Sequence, residues 1–179
     1  VILSFSNMDY SNIYNDKYTT LLLDRDGIIN VHIIGGYVCK KEDFEFIPGV
    51  LEEMSKMAVK FKYIFIVTNQ RGVGKGLLSE DDLDDIHQYM IKEIVKVGGR
   101  VDGIYYSTAL SDEDFLRKPN VGMFEQIMKD YPDVKPETTI MLGDGDIDME
   151  FAKNCGICGL KLDSLKKEGD KYFWVRAQQ

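Results

Sequence analysis

Apolar residues occur along this chain in two alternating patterns, short uninterrupted runs and longer stretches that place them on one helical face. One of the short runs, Tyr63–Val67, is β-branched, aromatic and free of charge, a composition typical of buried strands. The short runs are Leu21–Leu23, Tyr63–Val67, Gly103–Ser107, Thr138–Leu142 and Gly159–Leu162. Each of these runs is predicted to be a strand.

The stretches between the runs follow the helical period and predict helices over residues 48–60, 79–97, 124–131 and 147–154. Ser79 and Asp82 predict a capping box at the start of the second helix, Gly98-Gly99 ends it, and Pro132 ends the third. Strands and helices then alternate as βαβαβαβαβ. This alternation implies a parallel sheet with crossover helices on both faces, so the predicted fold class is α/β.

The length and composition of the chain suit a single globular domain. Its 179 residues are 44% hydrophobic and 29% charged, and one hydrophobic core serves roughly 100–200 residues. Residues 1–18 show no sustained period, so we expect a leader segment there and one domain over residues 19–179. No signal peptide is visible, and no apolar run approaches the ~20 residues of a membrane span.

Charge and cysteine content narrow the setting and the partners. The chain has 22 Lys and Arg against 30 Asp and Glu, a formal net charge of −8 that repels polyanions, so we expect no nucleic-acid partner. Its 3 Cys cannot all pair, which favours a reducing compartment. We expect a cytoplasmic protein that is a monomer or a weak homo-oligomer and has no membrane partner.

Polar residues follow four of the predicted strands or the loops after them. They are Asp24-Arg25-Asp26-Gly27, Thr68-Asn69, Arg117-Lys118-Pro119 and the segment from Gly143 to Asp148. Ligand sites in open α/β sheets lie at the carboxyl ends of the strands, so these four segments are expected to converge. Clustered carboxylates need a cation, and hard oxygen ligands suit Mg²⁺.

The same set of residues offers what a phosphoryl group needs. The hydroxyl of Thr68, the loop amides after it and the cation of Lys118 are suitable donors. With an ordinary pKa of about 3.9, the leading carboxylate, Asp24, would be ionised at neutral pH and could attack phosphorus to form an aspartyl-phosphate. Asp26, two residues on, could then serve as acid and base.

This ordered set of motifs resembles the haloacid dehalogenase superfamily of phosphohydrolases, and the resemblance covers about Thr20 to Leu162. It implies a Rossmann-like three-layer sandwich with a central parallel sheet. By resemblance, Asp24 is the nucleophile, Asp26 the general acid and base, Thr68 a phosphate binder and Lys118 the charge clamp.

The resemblance also implies the metal site and the absence of a cap domain. Asp24, the backbone carbonyl of Asp26 and Asp144 would bind Mg²⁺, while Asp148 would orient Lys118 or a metal-bound water. The superfamily's larger caps are inserted between these motifs. Here one helix, the next strand and loops largely fill each interval, so no cap domain is expected.

Closer similarity lies in the connecting loops. Asp24–Asn30, Gly36–Val38, Phe44–Val50, Thr68–Gln70, Gly76, Arg117–Pro119 and Gly122-Met123 resemble the D-glycero-D-manno-heptose-1,7-bisphosphate 7-phosphatase family, which is related to histidinol-phosphate phosphatases. The resemblance implies hydrolysis of a sugar phosphate, heptose bisphosphate foremost. It assigns substrate contacts to Gly36, Tyr37 and Arg117, beside Thr68, Asn69, Gln70 and Lys118.

Several positions depart from that family. The loop from Ser107 to Leu116 lacks the Cys and His of its zinc loop, so zinc is not expected. Arg71 stands where the family commonly has a small residue and could attract an anionic substrate. The stretch from Gly72 to Gly76 lacks P-loop spacing and is interpreted as a flexible loop at the rim of the site. His32 could touch substrate, whereas His87 is expected at the surface or at a boundary.

Three alternatives stay open. A histidinol-phosphate phosphatase would use the same motifs. A polynucleotide 3′-phosphatase has similar Thr-Asn-Gln and Arg-Lys-Pro segments, although the net charge of −8 opposes it. A regulatory module that binds a sugar phosphate without turnover is the alternative outside the enzymes.

Overall fold

The computed structural model describes residues 13–168 and 171–176, with side chains up to Leu162. The strands of this part are β1 Thr20–Leu23, β2 Tyr63–Asn69, β3 Gly103–Ser107, β4 Thr139–Gly143, β5 Cys158–Glu168 and β6 Lys171–Arg176. Its α-helices are α1 Val50–Lys60, α2 Arg71–Gly74, α3 Glu80–Lys96, α4 Gly122–Asp130 and α5 Asp146–Cys155, beside 3₁₀ turns at Lys41–Asp43 and Pro136–Thr138.

The strands form one sheet in the order β3-β2-β1-β4-β5-β6. β1 pairs in parallel with both β2 and β4, so that Leu22 lies opposite Phe65 on one side and Met141 on the other. β3 and β5 extend this parallel core outward, and β6 alone is antiparallel, paired with β5. The five predicted strands are thus confirmed as a central parallel sheet.

Alternate residues of the strands build two hydrophobic layers. Leu21 and Leu23 point toward α1 and α3, into a core that contains Met54 and Met90. Leu22 points to the opposite face, into a core formed with α4 and α5. Because side chains alternate across a strand, one apolar run serves both layers. The result is the predicted three-layer sandwich.

The boundaries of the fold differ from the sequence predictions in three places. Residues 1–12 of the expected leader lie outside the described residues, but Ile13 is only 1% exposed and packs in the core. The division at residue 18 stays a prediction. β5 continues beyond Leu162 through the polar segment at residues 163–168, which lacks an apolar run. β6 was not predicted, although it contains the apolar run from Tyr172 to Val175. α2 was also missed.

The topology places the site and leaves it uncapped. β1, β2 and β4 are adjacent and parallel, so Asp24, Thr68 and Asp144 come to one edge of the sheet. Between Asp24 and Lys118 the structure has only α1, α2, α3, β2, β3 and one short 3₁₀ turn. This part of the chain contains no inserted cap domain. No helix in the described ranges is long and apolar enough to cross a bilayer.

Candidate active site

Lys118 lies at the centre of the site, in the loop between β3 and α4. Its Nζ donates to Asp24 Oδ1 at 3.0 Å, to Asp148 Oδ1 at 2.7 Å and to the carbonyl of Val67 at 2.9 Å. An ammonium group has three N–H donors, and all of them are used here. Burial lowers the pKa of Lys118, but the charges of Asp24 and Asp148 outweigh this effect and raise it. Lys118 is therefore a buried cation.

Asp24 follows β1, and its side chain is 14% exposed. Burial raises the pKa of this carboxyl to about 7; Lys118 opposes the shift, while Asp148 and Asp26 add to it. The expectation of an ordinary pKa for Asp24 is therefore wrong for the metal-free site. A cation bound beside Asp24 favours the ionised form that can act as a nucleophile.

Three carboxylates form a cluster that fits a divalent cation. Asp24, Asp144 and Asp148 each offer one oxygen, and these oxygens lie within 4.8 Å of one another. Burial and the charge of Asp148 raise the pKa of Asp144. Carboxylates that repel one another and resist ionisation in the free protein are stabilised by a hard cation such as Mg²⁺. The donor set therefore fits magnesium.

The surroundings of Asp144 and Asp148 fix their positions. Gly27 has φ +88°, and a Cβ there would lie 2.0 Å from Asp144 Oδ2, so only glycine leaves room for this carboxylate. Asp148 is 1% exposed and accepts from Lys118 on Oδ1 and from the backbone N–H of Gly145, at 3.1 Å, on Oδ2. The structure thus places Asp148 where it orients Lys118.

Three side chains hold the carboxylate of Asp26. Oδ1 accepts from Arg25 Nη2 at 3.0 Å and from Asn30 Nδ2 at 2.9 Å, and Oδ2 accepts from Gln70 Nε2 at 3.0 Å. Burial alone would raise the pKa of Asp26, but the charge of Arg25 and these hydrogen bonds lower it below the ordinary value. Asp26 is therefore an oriented carboxylate in the free protein.

The residues at the end of β2 form hydrogen bonds with other residues of the site and with the backbone of Lys118. Gln70 Nε2 also donates to Thr68 Oγ1 at 2.9 Å, and Thr68 is 1% exposed. Asn69 donates to the carbonyl of Lys118 at 3.0 Å and accepts from its N–H at 2.9 Å. The Asn69 side chain thus fastens β2 to the loop that carries Lys118.

A cavity of about 270 Å³ opens over these groups. Its walls contain the motif side chains and, from the loop after β1, His32, Ile33, Gly36 and Tyr37. His32 Nδ1 lies 4.0 Å from Asp144 Oδ2. Gly36 and Tyr37, which are predicted to contact substrate, therefore line the cavity together with His32.

Arg71 and Arg117 lie outside the cavity lining. Arg117 is 6% exposed; its Nε donates to Asp112 Oδ1 at 2.9 Å, and its buried Nη1 has no partner. Arg71 begins α2, donates weakly to the carbonyl of Leu110 at 3.4 Å, and has a buried Nε without a partner. Hydrogen bonding and charge from Arg117, with the charge of Arg71, lower the pKa of Asp112.

The structure adds residues that the sequence reasoning did not assign. Arg25 and Asn30 hold Asp26, and His87 Nε2 lies 3.3 Å from Arg25 Nη1. The expectation that His87 lies at the surface or a boundary is wrong, because it is 4% exposed. The signal was present in the sequence, since Leu83, His87 and Met90 share one face of a helix.

Comparisons with known proteins agree with this geometry. A family model described as Polynucleotide kinase 3 phosphatase matches residues 23–158. A Campylobacter jejuni protein named D-glycero-alpha-D-manno-heptose-1,7-bisphosphate 7-phosphatase is 38% identical over 155 residues, which cover 86% of this chain and 88% of the relative. A Helicobacter pylori protein named D-glycero-beta-D-manno-heptose-1,7-bisphosphate 7-phosphatase is 37% identical over 140 residues, covering 76% and 79%.

A solved structure shows the same architecture. The D,D-heptose 1,7-bisphosphate phosphatase from B. bronchiseptica, complexed with magnesium and phosphate, is similar with a TM-score of 0.76 and 27% identity over 82% of this chain and 81% of the other. Both the family model and the C. jejuni relative extend over most of the present chain. The chain therefore belongs to the haloacid dehalogenase superfamily and, within it, to the phosphatase family that includes the heptose-1,7-bisphosphate 7-phosphatases.

Proposed function

We propose that this protein is a Mg²⁺-dependent phosphomonoesterase that hydrolyses a sugar phosphate, D-glycero-D-manno-heptose 1,7-bisphosphate foremost, through an aspartyl-phosphate on Asp24. The observation that carries the proposal is the position of Asp24. Its carboxylate contacts the buried cation of Lys118, belongs to a carboxylate cluster that fits a cation, and lies in the wall of an open cavity. The names of the relatives support the substrate.

The metal would be held by the carboxylates of Asp24 and Asp144 and by the backbone carbonyl of Asp26, with Asp148 beside them. When bound, Mg²⁺ offsets the negative charge of the phosphoryl oxygens and draws them toward the carboxylate cluster. Asp148 holds Lys118 by a 2.7 Å hydrogen bond, so the ammonium keeps its place next to Asp24. Thr68 supplies a hydroxyl donor to the transferring phosphoryl group, and Lys118 supplies a positive charge beside it.

In the first chemical step, the carboxylate of Asp24 attacks phosphorus. A bond forms between its oxygen and phosphorus, and the bond from phosphorus to the sugar oxygen breaks. Asp26 gives the departing sugar oxygen a proton. The pKa of Asp26 is low in the free protein, but the negative charge of an incoming phosphate raises it and favours the protonated form that this step needs.

In the second step, water attacks the phosphorus of the aspartyl-phosphate. Asp26, now a carboxylate, accepts the proton of the attacking water, and the bond between phosphorus and the Asp24 oxygen breaks. The hydrogen bonds from Arg25, Asn30 and Gln70 keep the carboxylate of Asp26 in one orientation during both steps. Inorganic phosphate then leaves and restores Asp24.

Contacts to the rest of the substrate come from the loops around the cavity. Gly36 and Tyr37 line it, and Arg71 and Arg117 attract the second phosphate. Arg117 supports this role because one of its N–H groups has no partner and its ion pair is with Asp112, whose side chain is 84% exposed. Because the carboxylate of Asp112 is solvated, its ion pair with Arg117 contributes little, and a phosphate can replace it.

A polynucleotide 3′-phosphatase is the second candidate, favoured by the description of the matching family model. Its substrate is a polyanion, and the net charge of −8 opposes binding of this class of ligand. Histidinol phosphate, with one phosphate, would leave Arg117 without a second anion to bind. A module that only binds would keep the donors around the phosphoryl group and lose turnover.

The assembly and location that we propose are a monomer or weak homo-oligomer in the cytoplasm. The thiols of Cys39, Cys155 and Cys158 are free, which supports a reducing compartment.

A phosphate-release assay with and without Mg²⁺ tests the proposal. The substrates are the α and β anomers of heptose 1,7-bisphosphate, histidinol phosphate and a 3′-phosphorylated oligonucleotide, with Asp24→Asn as the inactive control. We expect turnover of a heptose bisphosphate above the others, and none in the control. Salt-sensitive activity that is highest on the oligonucleotide would favour the second candidate. Binding without release would leave only the regulatory module.

A further inference from the structure

Arg25 lies between Asp24 and Asp26 in sequence, and its side chain is buried under the site. It is 1% exposed, and its guanidinium carbon lies 5.9 Å from the centre of the Phe44 ring. Nη2 donates to Asp26 at 3.0 Å, and Nε has no partner. A buried guanidinium with one N–H already unpartnered depends on its remaining contacts for a fixed orientation.

His87 supplies a second polar contact of this guanidinium within the described part of the chain. It projects from the middle of α3, and its Nε2 lies 3.3 Å from Arg25 Nη1. Arginine always donates, so Nε2 must accept and carry no proton. Burial, and then the charge of Arg25, lower the pKa of His87 to about 3, which agrees with a neutral ring. The ring also packs edge-on against Tyr106, at 5.8 Å between centroids.

We infer that His87 is a positioning residue for the reaction, which fixes Arg25 and through it the carboxylate of Asp26 that exchanges a proton with the leaving oxygen. The chain of contacts runs from α3 to the site in two steps, His87 to Arg25 at 3.3 Å and Arg25 to Asp26 at 3.0 Å. His87 itself is not among the residues that line the cavity. It therefore acts on the substrate only through Arg25.

A neutral acceptor suits this position better than a carboxylate. A Glu or Asp at residue 87 would compete with Asp26 for the charge of Arg25, and the guanidinium could turn away from the site. A neutral imidazole satisfies one N–H and leaves Asp26 as the only carboxylate with a hydrogen bond from Arg25 among the described contacts. Loss of the imidazole would leave a second buried N–H unpartnered and release Arg25 from its orientation.

The inference rests on the proposed function, and it makes a prediction that depends on the leaving group. A sugar alkoxide needs a proton from Asp26 to depart, whereas 2,4-dinitrophenolate departs without one. kcat/KM reports the first chemical step for both substrates, because formation of the aspartyl-phosphate breaks the bond to the leaving group. Misorientation of Asp26 should therefore lower kcat/KM for the sugar phosphate and spare 2,4-dinitrophenyl phosphate.

The test compares His87→Leu, which removes the acceptor, with His87→Gln, whose side-chain carbonyl can still accept from Arg25. For His87→Leu we expect kcat/KM to fall about tenfold with heptose bisphosphate and less than about twofold with 2,4-dinitrophenyl phosphate. His87→Gln should stay within about twofold of the wild type on both substrates. His87→Met, with an adaptable apolar side chain, is the second variant if the leucine protein does not fold.

Met90→Ala is the matched control, because Met90 is fully buried on the same face of α3 and forms no hydrogen bond with Arg25 in the described part of the structure. It should lower the melting temperature without changing the ratio of the two kcat/KM values. Equal losses on both substrates in the apolar variants, or a His87→Gln protein as selective as His87→Leu, would overturn the inference. A wild-type protein that releases phosphate from neither substrate would instead overturn the proposed function.

Discussion

The floor of the cavity and its rim differ in how completely their polar groups are partnered. The floor is formed by Asp24, Asp26, Thr68, Lys118 and Asp148, and the rim by the loop at residues 31–38, α2 and the loop at residues 108–117. On the floor, every N–H of the Lys118 ammonium has an acceptor, and Asp26 accepts from three side chains.

The rim is looser. Ile34 is 96% exposed, and Arg71 and Arg117 each keep one buried N–H without a partner. The floor is oriented before substrate arrives, as electrostatic catalysis of phosphoryl transfer requires. The rim has exposed apolar side chains and, behind the cavity lining, the positive charges of two arginines whose hydrogen bonding is incomplete. We therefore expect the floor to carry out the phosphoryl transfer and the rim to select the substrate.

The largest expected effect is at Asp24. Asp24→Asn removes the nucleophile, so phosphate release should fall by at least about 10⁴-fold. The pKa of Asp24 is raised to about 7, which means that folding disfavours its ionised form and that this carboxyl lowers stability as pH rises from about 4 to 7. Without metal at pH 8, the variant should melt a few degrees higher than the wild type; at pH 4 this gain should vanish.

Calorimetry or a thermal shift assay in EDTA measures the stability of this variant beside its activity. An inactive protein that is also less stable than the wild type at pH 8 would show that Asp24 is held in the free protein by favourable contacts. That result would contradict a floor in which burial disfavours the ionised carboxylate of Asp24.

Removal of the positive charge of Lys118 should lower both the activity and the stability of the protein. Lys118→Met leaves Asp24 and Asp148 buried beside each other without their shared partner. Loss of one member of a buried charged network costs about 3–5 kcal/mol of unfolding free energy, and activity should fall roughly 10²–10³-fold. Urea unfolding and phosphate release measure the two effects. Lys60→Met is the control, since Lys60 lies at the end of α1 and its partner Asp16 is fully exposed, and it should change neither quantity appreciably.

Metal affinity should depend on pH with a definite sign. The carboxyls of Asp24 and Asp144 both have raised pKa values in the metal-free protein, and a cation binds their ionised forms. The apparent dissociation constant of Mg²⁺ should therefore fall as pH rises from 5.5 to 8. Isothermal titration of the wild type measures it, with Asp144→Asn as the weakened control. An affinity independent of pH would show that the cluster does not hold the metal.

The sequence could predict which residues meet at the site, but not how their side chains interact there. The parallel arrangement of the strands was predictable. Because Asp24, Thr68 and Asp144 lie at strand ends and Lys118 lies in the loop after β3, the convergence of these residues was predictable too. The raised pKa of Asp24 was not, because burial and the approach of Asp148 depend on packing. The hydrogen-bond partners of the floor residues, such as Arg25 for Asp26, depend on side-chain rotamers, which the spacing of residues along the sequence does not specify.

Elements of the fold were missed for local reasons. α2 contains Gly72 and Gly74, and glycine disfavours helices, so the sequence favoured a loop there. In the structure, a Cβ at residue 72 would lie 2.7 Å from Leu78 Cδ2 and 3.2 Å from the Tyr37 ring, so a larger residue would force these side chains to shift. Sequence patterns describe average environments, and close approaches of this kind depend on the assembled tertiary structure.

The smallest expected effect is at the rim and tests the role of Arg117. Arg117→Ala should raise KM for heptose bisphosphate about tenfold or more, since a charge-assisted hydrogen bond contributes roughly 1.5–3 kcal/mol. It should leave kcat/KM for a sugar monophosphate within about twofold of the wild-type value.

Asp112→Asn is the matched variant. It removes the negative charge that holds Arg117 Nε at 2.9 Å and should lower KM for the bisphosphate by a few-fold. Initial-rate kinetics on the two substrates separate the cases. Equal effects of Arg117→Ala on bisphosphate and monophosphate would place Arg117 with the floor, and the distinction between an oriented floor and a selective rim would no longer hold at this residue.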